Sequence, residues 1–167
     1  MEPFAAGRDG GRHTHGLDGQ LSGLAECLEG GVLIMSFGGG RLQWPITSDL
    51  AALRAHVHAF GLRAGLGRQR AQDLVIVANE AATNVLDHGG GSGTLTALSD
   101  PAGVRLEVTD SSGTLSQAQL TPELARHPRR GVGLWLIRQL CDEVRLEIAS
   151  GSARLHLYLR HRAPETV

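Results

Sequence analysis

Between residues 50 and 60 the apolar positions Leu50, Leu53, Val57 and Phe60 recur at spacings of three and four, the period that lines one face of an α-helix. Thr47, Ser48 and Asp49 stand before them as N-cap candidates, and the helix is expected to end near Gly61 to Gly67. A second helix is predicted over Arg68 to His88 from the recurrence Leu74, Val77, Ala78, Ala81 and Val85, with Gly89-Gly90-Gly91 to stop it. The period then falls to two. Thr94 to Leu98 and Val104 to Val108 alternate as strands, and Asp100-Pro101-Ala102-Gly103 between them reads as a hairpin turn. Residues 111–130 carry Ser111, Ser112, Gly113, Pro122 and Pro128 with little apolar periodicity, so a long loop is expected there, and loops of that length usually have a function. Gly131 to Cys141 is read as a third helix, with Leu134, Ile137, Leu140 and Cys141 on one face, and Glu143 to Ile148 and Ala153 to Leu159 as two last strands. Helices interleaved with paired antiparallel strands predict an α+β fold built as a two-layer sandwich.

The first 40 residues differ from the rest, holding 11 of the 23 glycines. Ordering so much glycine is entropically costly, so this segment is expected to be a mobile arm. Within it, Leu21 to Leu28 fits two helical turns and Val32 to Phe37 a short strand. The expected organisation is therefore an arm over residues 1–40, a domain over 41–162 and a tail over 163–167.

Composition narrows the chemistry. All 16 basic residues are arginine, against 17 acidic ones, for a formal charge of −1. A chain without lysine has no Walker A lysine, no strand lysine of a eukaryotic-type protein kinase and no Schiff base to pyridoxal phosphate. The charge balance lacks the basic excess by which nucleic-acid binders displace counterions, so no direct nucleic-acid partner is expected. The longest apolar run, Val32 to Phe37, is far below the roughly 20 residues of a membrane-spanning helix. The start Met1-Glu2-Pro3 lacks the basic region of a secretory leader. A cytoplasmic location without a membrane partner is the expectation. Cys27 and Cys141 have no metal-knuckle spacing and are read as reduced thiols.

Three places can carry chemistry. Glu80 and Asn84 lie four apart on the long helix and so project from nearly the same face. A carboxylate can accept a proton and a carboxamide oxygen can coordinate Mg²⁺, although such a pair is also an ordinary solvated stripe. Asp110 ends a strand and can receive a hydrogen bond from a ligand amine, with Gly113 permitting close backbone approach; the alternative is a plain Asx turn. Arg129-Arg130-Gly131-Val132-Gly133-Leu134 sets cations and glycines at a helix start, where unpaired N–H groups favour phosphate; the alternative is a hinge.

Taken in order, these residues resemble a family. Glu80-Ala81-Ala82-Thr83-Asn84-Val85-Leu86-Asp87-His88-Gly89 is similar to the N box of the GHKL ATP-binding fold of gyrase, MutL, histidine kinases and anti-sigma-factor serine kinases. Asp110 to Gly113 falls where the first glycine box belongs, and Gly131-Val132-Gly133-Leu134-Trp135-Leu136 is similar to the second. The resemblance covers about residues 42–160 and is nearest the compact anti-sigma-factor kinases, since no long dimerisation helix with a phospho-acceptor histidine precedes the domain. It implies a mixed, mainly antiparallel sheet covered by helices on one face, with ATP and Mg²⁺ as cofactors. It implies Glu80 as the catalytic residue that orients or deprotonates the attacking hydroxyl, and Asn84 as the Mg²⁺ ligand. Asp110 would accept from the adenine amino group, beside Gly113. Backbone from Gly131, Val132, Gly133 and Leu134 would approach the phosphates. Thr114 to Arg130 would be the ATP lid, with Arg129 or Arg130 neutralising charge. The implied partners are an anti-sigma-factor antagonist, a sigma factor, or both, with a homodimer as the implied assembly. One departure stands out: the family's first box usually reads D-x-G-x-G, whereas Ser112 and Thr114 flank Gly113 here. Their β-carbons are expected to crowd the adenine edge.

Two activities follow from that resemblance. One is a Mg-ATP-dependent protein-serine kinase that regulates transcription; the other is a binding module on the same fold that sequesters a sigma factor or another regulator. The histidines argue for neither. His56 and His58 are two apart on a helix and point to opposite sides, His13 and His15 belong to the glycine-rich arm, and His88 suits a helix C-terminus. Cys141, on an apolar face, is read as core.

Overall fold

The computed structural model describes residues 24–28, 30–36, 39–88, 91–112, 132–149 and 151–161. Its elements run β1 (Leu24–Leu28), β2 (Gly31–Ser36), β3 (Gly39–Ile46), α1 (Leu50–Arg63), α2 (Arg68–His88), β4 (Gly93–Asp100), β5 (Gly103–Asp110), α3 (Val132–Leu140), β6 (Glu143–Ala149) and β7 (Ser152–Arg160). The strands form one seven-stranded sheet in the order β1-β2-β3-β4-β5-β7-β6. Every pairing is antiparallel, in line with the mainly antiparallel sheet expected and with no parallel pair among the described residues.

Period-two patterning explains which face the helices cover. Leu42, Trp44 and Ile46 of β3, Leu95 and Ala97 of β4, Val104, Leu106 and Val108 of β5, and Leu155, Leu157 and Leu159 of β7 are all buried. Their alternate neighbours Arg41, Gln43, Arg105 and Arg154 are exposed. One sheet face therefore packs under the helices and the other meets solvent, the arrangement of a two-layer α+β sandwich. From α1 come Leu53, Val57 and Phe60, from α2 Leu74, Val77, Ala78, Ala81 and Val85, and from α3 Ile137, all in the same core. Asp49 caps α1, its Oδ1 accepting from the Ala52 N–H at 3.0 Å.

Two expectations need correction. Leu21 to Leu28 is not helical over its described part: Leu24–Leu28 is a strand paired with β2. Gly30, at φ +85°, makes the tight turn between them. A two-turn helix bears the full cost of nucleation for few hydrogen bonds, whereas pairing with β2 satisfies the same backbone in a ladder. β3 is the second correction, since it carries an eight-residue strand where the pattern suggests only a change of composition. Its Pro45 falls past the β2 ladder, which ends at Gln43, where an edge tolerates proline. β1 and β2 thus extend the sheet across the boundary expected at residue 40. Trp44 seals this junction: it lies against Gly31 and meets the His56 ring of α1 with centroids 4.1 Å apart. Residues 1–23 and the expected tail at 163–167 lie outside the described residues. No helix among the described residues is long and apolar enough to cross a membrane.

Candidate nucleotide site

α2 is hydrophobic along one stripe and turns that stripe to the sheet, which leaves Glu80 and Asn84 half-buried on its flank, one turn apart. The Glu80 carboxylate receives the Asn79 Nδ2 amide at 3.4 Å, and Asn79 in turn accepts from Arg54 Nη1 of α1 at 2.9 Å. On its other side Glu80 faces the first turn of α3. A β-carbon built on Gly133 would stand 2.3 Å from Glu80 Oε2, so only glycine admits the carboxylate this close to the helix backbone. Asn84 presents a second signature: its Nδ2 is buried without a hydrogen-bond partner among the described residues. Buried amide groups are almost always satisfied, so this N–H donor can take an acceptor from a water or a ligand.

Asp110 is fully buried at the end of β5. It stands across the ladder from Gly93 on β4 and Ala153 on β7. Residues directly opposite in an antiparallel pair share a face. A β-carbon on Gly93 would lie 3.0 Å from Val85 Cγ1, so Asp110 looks toward the end of α2 that bears Asn84. Its Oδ1 accepts from the Ser112 N–H at 2.9 Å and from Ser112 Oγ at 2.6 Å. The Asx turn weighed as an alternative does form. The Ser112 hydroxyl folds back onto Asp110.

The position of α3 is fixed by residues that carry no motif. Arg70, almost wholly buried at the start of α2, donates from Nη1 to the Leu140 carbonyl at the end of α3 at 2.8 Å and from Nε to the Arg160 carbonyl at 3.1 Å. It also pairs with Asp142 and, at 3.4 Å, with Asp73, while Asp142 Oδ2 accepts the Arg160 N–H at 2.8 Å. This cluster clamps the C-terminal end of α3 to α2 and β7, and so holds the N-terminal end against Glu80. Nothing local in the sequence signals it.

Of the residues expected at the site, Glu80, Asn84, Asp110, Val132, Gly133 and Leu134 are described. Leu134 packs against the core and Val132 is exposed. Gly113, Arg130 and Gly131, together with the expected lid, lie outside the described residues. His56 stacks on Trp44 and His58 approaches Gln72 at 3.5 Å, so the two serve different neighbours. Among the described residues no three His, Cys, Asp or Glu side chains gather as a metal-binding group. Burial pushes the Cys141 thiol up to about 12, against the pull of Arg70, which suits a core thiol. The far face of the sheet holds a separate open depression of about 270 Å³ between Arg105, Arg145, Glu147, His156 and Tyr158. It lies across the sheet from Glu80 and plays no part in this site.

Residues 45–160, or 116 of the 167, match the histidine kinase-like ATPase domain family. The chain belongs to that family, a class of ATP-binding domains. No match to the chain was found among curated proteins. The described residues suit the nucleotide: a buried carboxylate is fixed at a strand end, a carboxamide holds an unpaired atom on the adjoining helix, and a glycine opens α3 to the carboxylate of Glu80.

Proposed function

We propose that this chain is a Mg-ATP-dependent protein-serine kinase that phosphorylates an anti-sigma-factor antagonist and so regulates transcription. The observation that carries the reading is the approach of Glu80 to Gly133, which puts a carboxylate beside the start of a helix. A helix start offers N–H groups and a partial positive charge to phosphate, and a carboxylate beside it is placed to accept a proton. Mg-ATP, when bound, supplies the phosphoryl group and neutralises its charge. Glu80 orients the acceptor hydroxyl and takes its proton, Asn84 holds the cation through its carboxamide oxygen, and Asp110 accepts from the adenine amine. Phosphoryl transfer requires mainly such positioning and electrostatics. The order of the three boxes and the absence of lysine from the chain support this reading over kinase classes that hold ATP with a lysine.

The test is incubation of the full chain with γ-labelled ATP and a candidate antagonist. Label is expected on an antagonist serine and is lost in Glu80→Gln and Asn84→Ala. Labelling no higher than the Asn84→Ala background overturns the kinase reading. A sigma-factor complex that survives Glu80→Ala under the same conditions replaces it with sequestration.

A further inference from the structure

β6 is the last strand in the sheet order, and among the described residues it pairs with β7 alone. Its other side presents a row of backbone N–H and C=O groups, a template on which a further strand can pair. Proteins commonly blunt such an edge with proline, a bulge or charges that repel a second strand. β6 has neither of the first two: Glu-Val-Arg-Leu-Glu-Ile-Ala contains no proline, and its ladder with β7 runs unbroken from Glu143–Tyr158 to Ala149–Ser152. Its charges alternate in sign, with Glu143, Arg145 and Glu147 all exposed on the outer face. On the helix-covered face Val144 and Leu146 pack partly against the core, whereas Ile148 is 55% exposed. An open β-branched side chain beside an unpaired backbone edge is a surface that a strand covers well.

The charge pattern says which strand. Two copies of one strand can pair antiparallel about a two-fold axis, and their outer faces match only when the axis passes through a residue, which then stands opposite itself. An axis at Arg145 opposes two arginines and sets Glu143 against Glu147, and an axis at Glu147 opposes two carboxylates. Like charges directly across a ladder destabilise it. An axis at Val144 leaves Ile148 uncovered and draws in Asp142, which Arg70 already holds. An axis at Leu146 satisfies every position: Arg145 of each copy faces Glu147 of the other, and Val144 of each covers Ile148 of the other. Opposite charges and β-branched pairs placed this way stabilise a sheet. We propose that the free edge of β6 docks β6 of a second copy of this chain, antiparallel about Leu146, so that the two sheets join into one. Arg145 also lies 3.2 Å from Glu147 of its own strand, so each guanidinium sits between two carboxylates at the junction. The contact is short and its charges are exposed, which makes the association modest and sensitive to salt.

The experiment is sedimentation equilibrium of the full chain from about 10 µM to about 1 mM, with hydrogen exchange of the β6 amides followed at both ends of that range. Wild type is expected to dimerise with rising concentration, to dissociate more readily in high salt, and to slow exchange at the outward-facing β6 amides as it does so. Arg145→Glu and Glu147→Arg each place like charges across the junction, and each alone is expected to weaken the dimer at least about tenfold. An equimolar mixture of the two variants sets the acidic pair of one chain against the arginine pair of the other, so association and the slowed β6 exchange return. That recovery also shows that neither variant has lost its fold. A wild-type chain that stays monomeric over the whole range overturns the proposal. A dimer that both reversals leave intact overturns it too, since the chains then meet through another face. A mixture no more associated than its components, or one that associates without protecting β6, does the same.

Discussion

Gly133 meets Glu80 so closely that a methyl group on residue 133 would fall 2.3 Å from the carboxylate oxygen and 3.5 Å from the Glu80 β-carbon. Two effects of Gly133→Ala compete. Alanine in a helix is worth about 1 kcal/mol over glycine, while the contact must be relieved by swinging the far end of a flexible side chain, which costs the fold little. The expected outcome is a melting temperature equal to or above wild type, with Glu80 turned to another rotamer in a crystal structure of the variant. Phosphoryl transfer falls at least about tenfold, the loss a misplaced catalytic group produces. Wild-type activity in Gly133→Ala would sink the role given to this approach.

The Arg70 cluster predicts a stability effect of a different size. Its guanidinium is almost wholly buried with Asp142 and Asp73 and bonds two backbone carbonyls. Removing one partner of a buried ion pair leaves the others uncompensated and typically costs about 3–5 kcal/mol. Arg70→Met should therefore lower the urea midpoint sharply. Arg70→Lys should recover only part of the loss, since an ammonium cannot reproduce the planar fork that reaches Leu140, Arg160 and Asp142 together. A change below about 1 kcal/mol in Arg70→Met would mean the clamp contributes little.

Cys141 predicts a pH dependence. Its thiol is pushed from 9.0 up to about 12 by burial, and the thiolate is the reactive species. In a Cys27→Ser background at pH 8, Cys141 of the folded protein should react with iodoacetamide on the order of a thousandfold more slowly than in the unfolded chain. The sign for stability follows. A folded-state value above the unfolded one favours the native state below pH 9.0, and that contribution is lost as pH rises through about 12. Equal alkylation rates in the folded and urea-unfolded protein would contradict the burial.

The parts of this fold that could be read in advance are those whose signals are local. α2 follows its expected bounds of Arg68 to His88 because a 3.6-residue stripe runs the whole way to a glycine cluster. The hairpin of β4 and β5 follows because Asp100 and Gly103 make the turn, with Asp100 accepting from the Ala102 and Gly103 N–H groups. Glu80 and Asn84 were legible because their spacing alone puts them on one face. β3 was hidden for the opposite reason: Gly39, Gly40 and Pro45 mask the alternation of Leu42, Trp44 and Ile46, and what supports the strand is its neighbours on both sides. Arg70 has partners 70, 72 and 90 positions away, a relationship no window of sequence contains. Ser112 was visible as a departure, but the direction its hydroxyl takes depends on where the turn after β5 sets Asp110.

Asn84 provides the sharpest separation of stability from function. Its Nδ2 is buried without a partner among the described residues, and an unsatisfied buried donor costs about 1–3 kcal/mol. Removing it relieves that cost but also removes packing atoms from the flank of α2, so the two terms oppose each other and the net change in the nucleotide-free protein should be small or stabilising. The same substitution removes the carboxamide oxygen that the kinase reading assigns to the cation. In wild type, saturating Mg-ATP should raise the melting temperature by mass action, with about 2.7 kcal/mol of added stability at a ligand concentration 100 times the dissociation constant. Asn84→Ala should melt at or above the wild-type temperature without nucleotide and gain almost nothing on adding Mg-ATP. Active sites commonly hold strain or unmet bonding that a more stable variant removes at the expense of activity. A thermal-shift series over Mg-ATP concentration decides it: a variant with the wild-type nucleotide-dependent rise shows that the cation is held elsewhere, and one that melts several degrees lower without nucleotide shows that Asn84 serves the core.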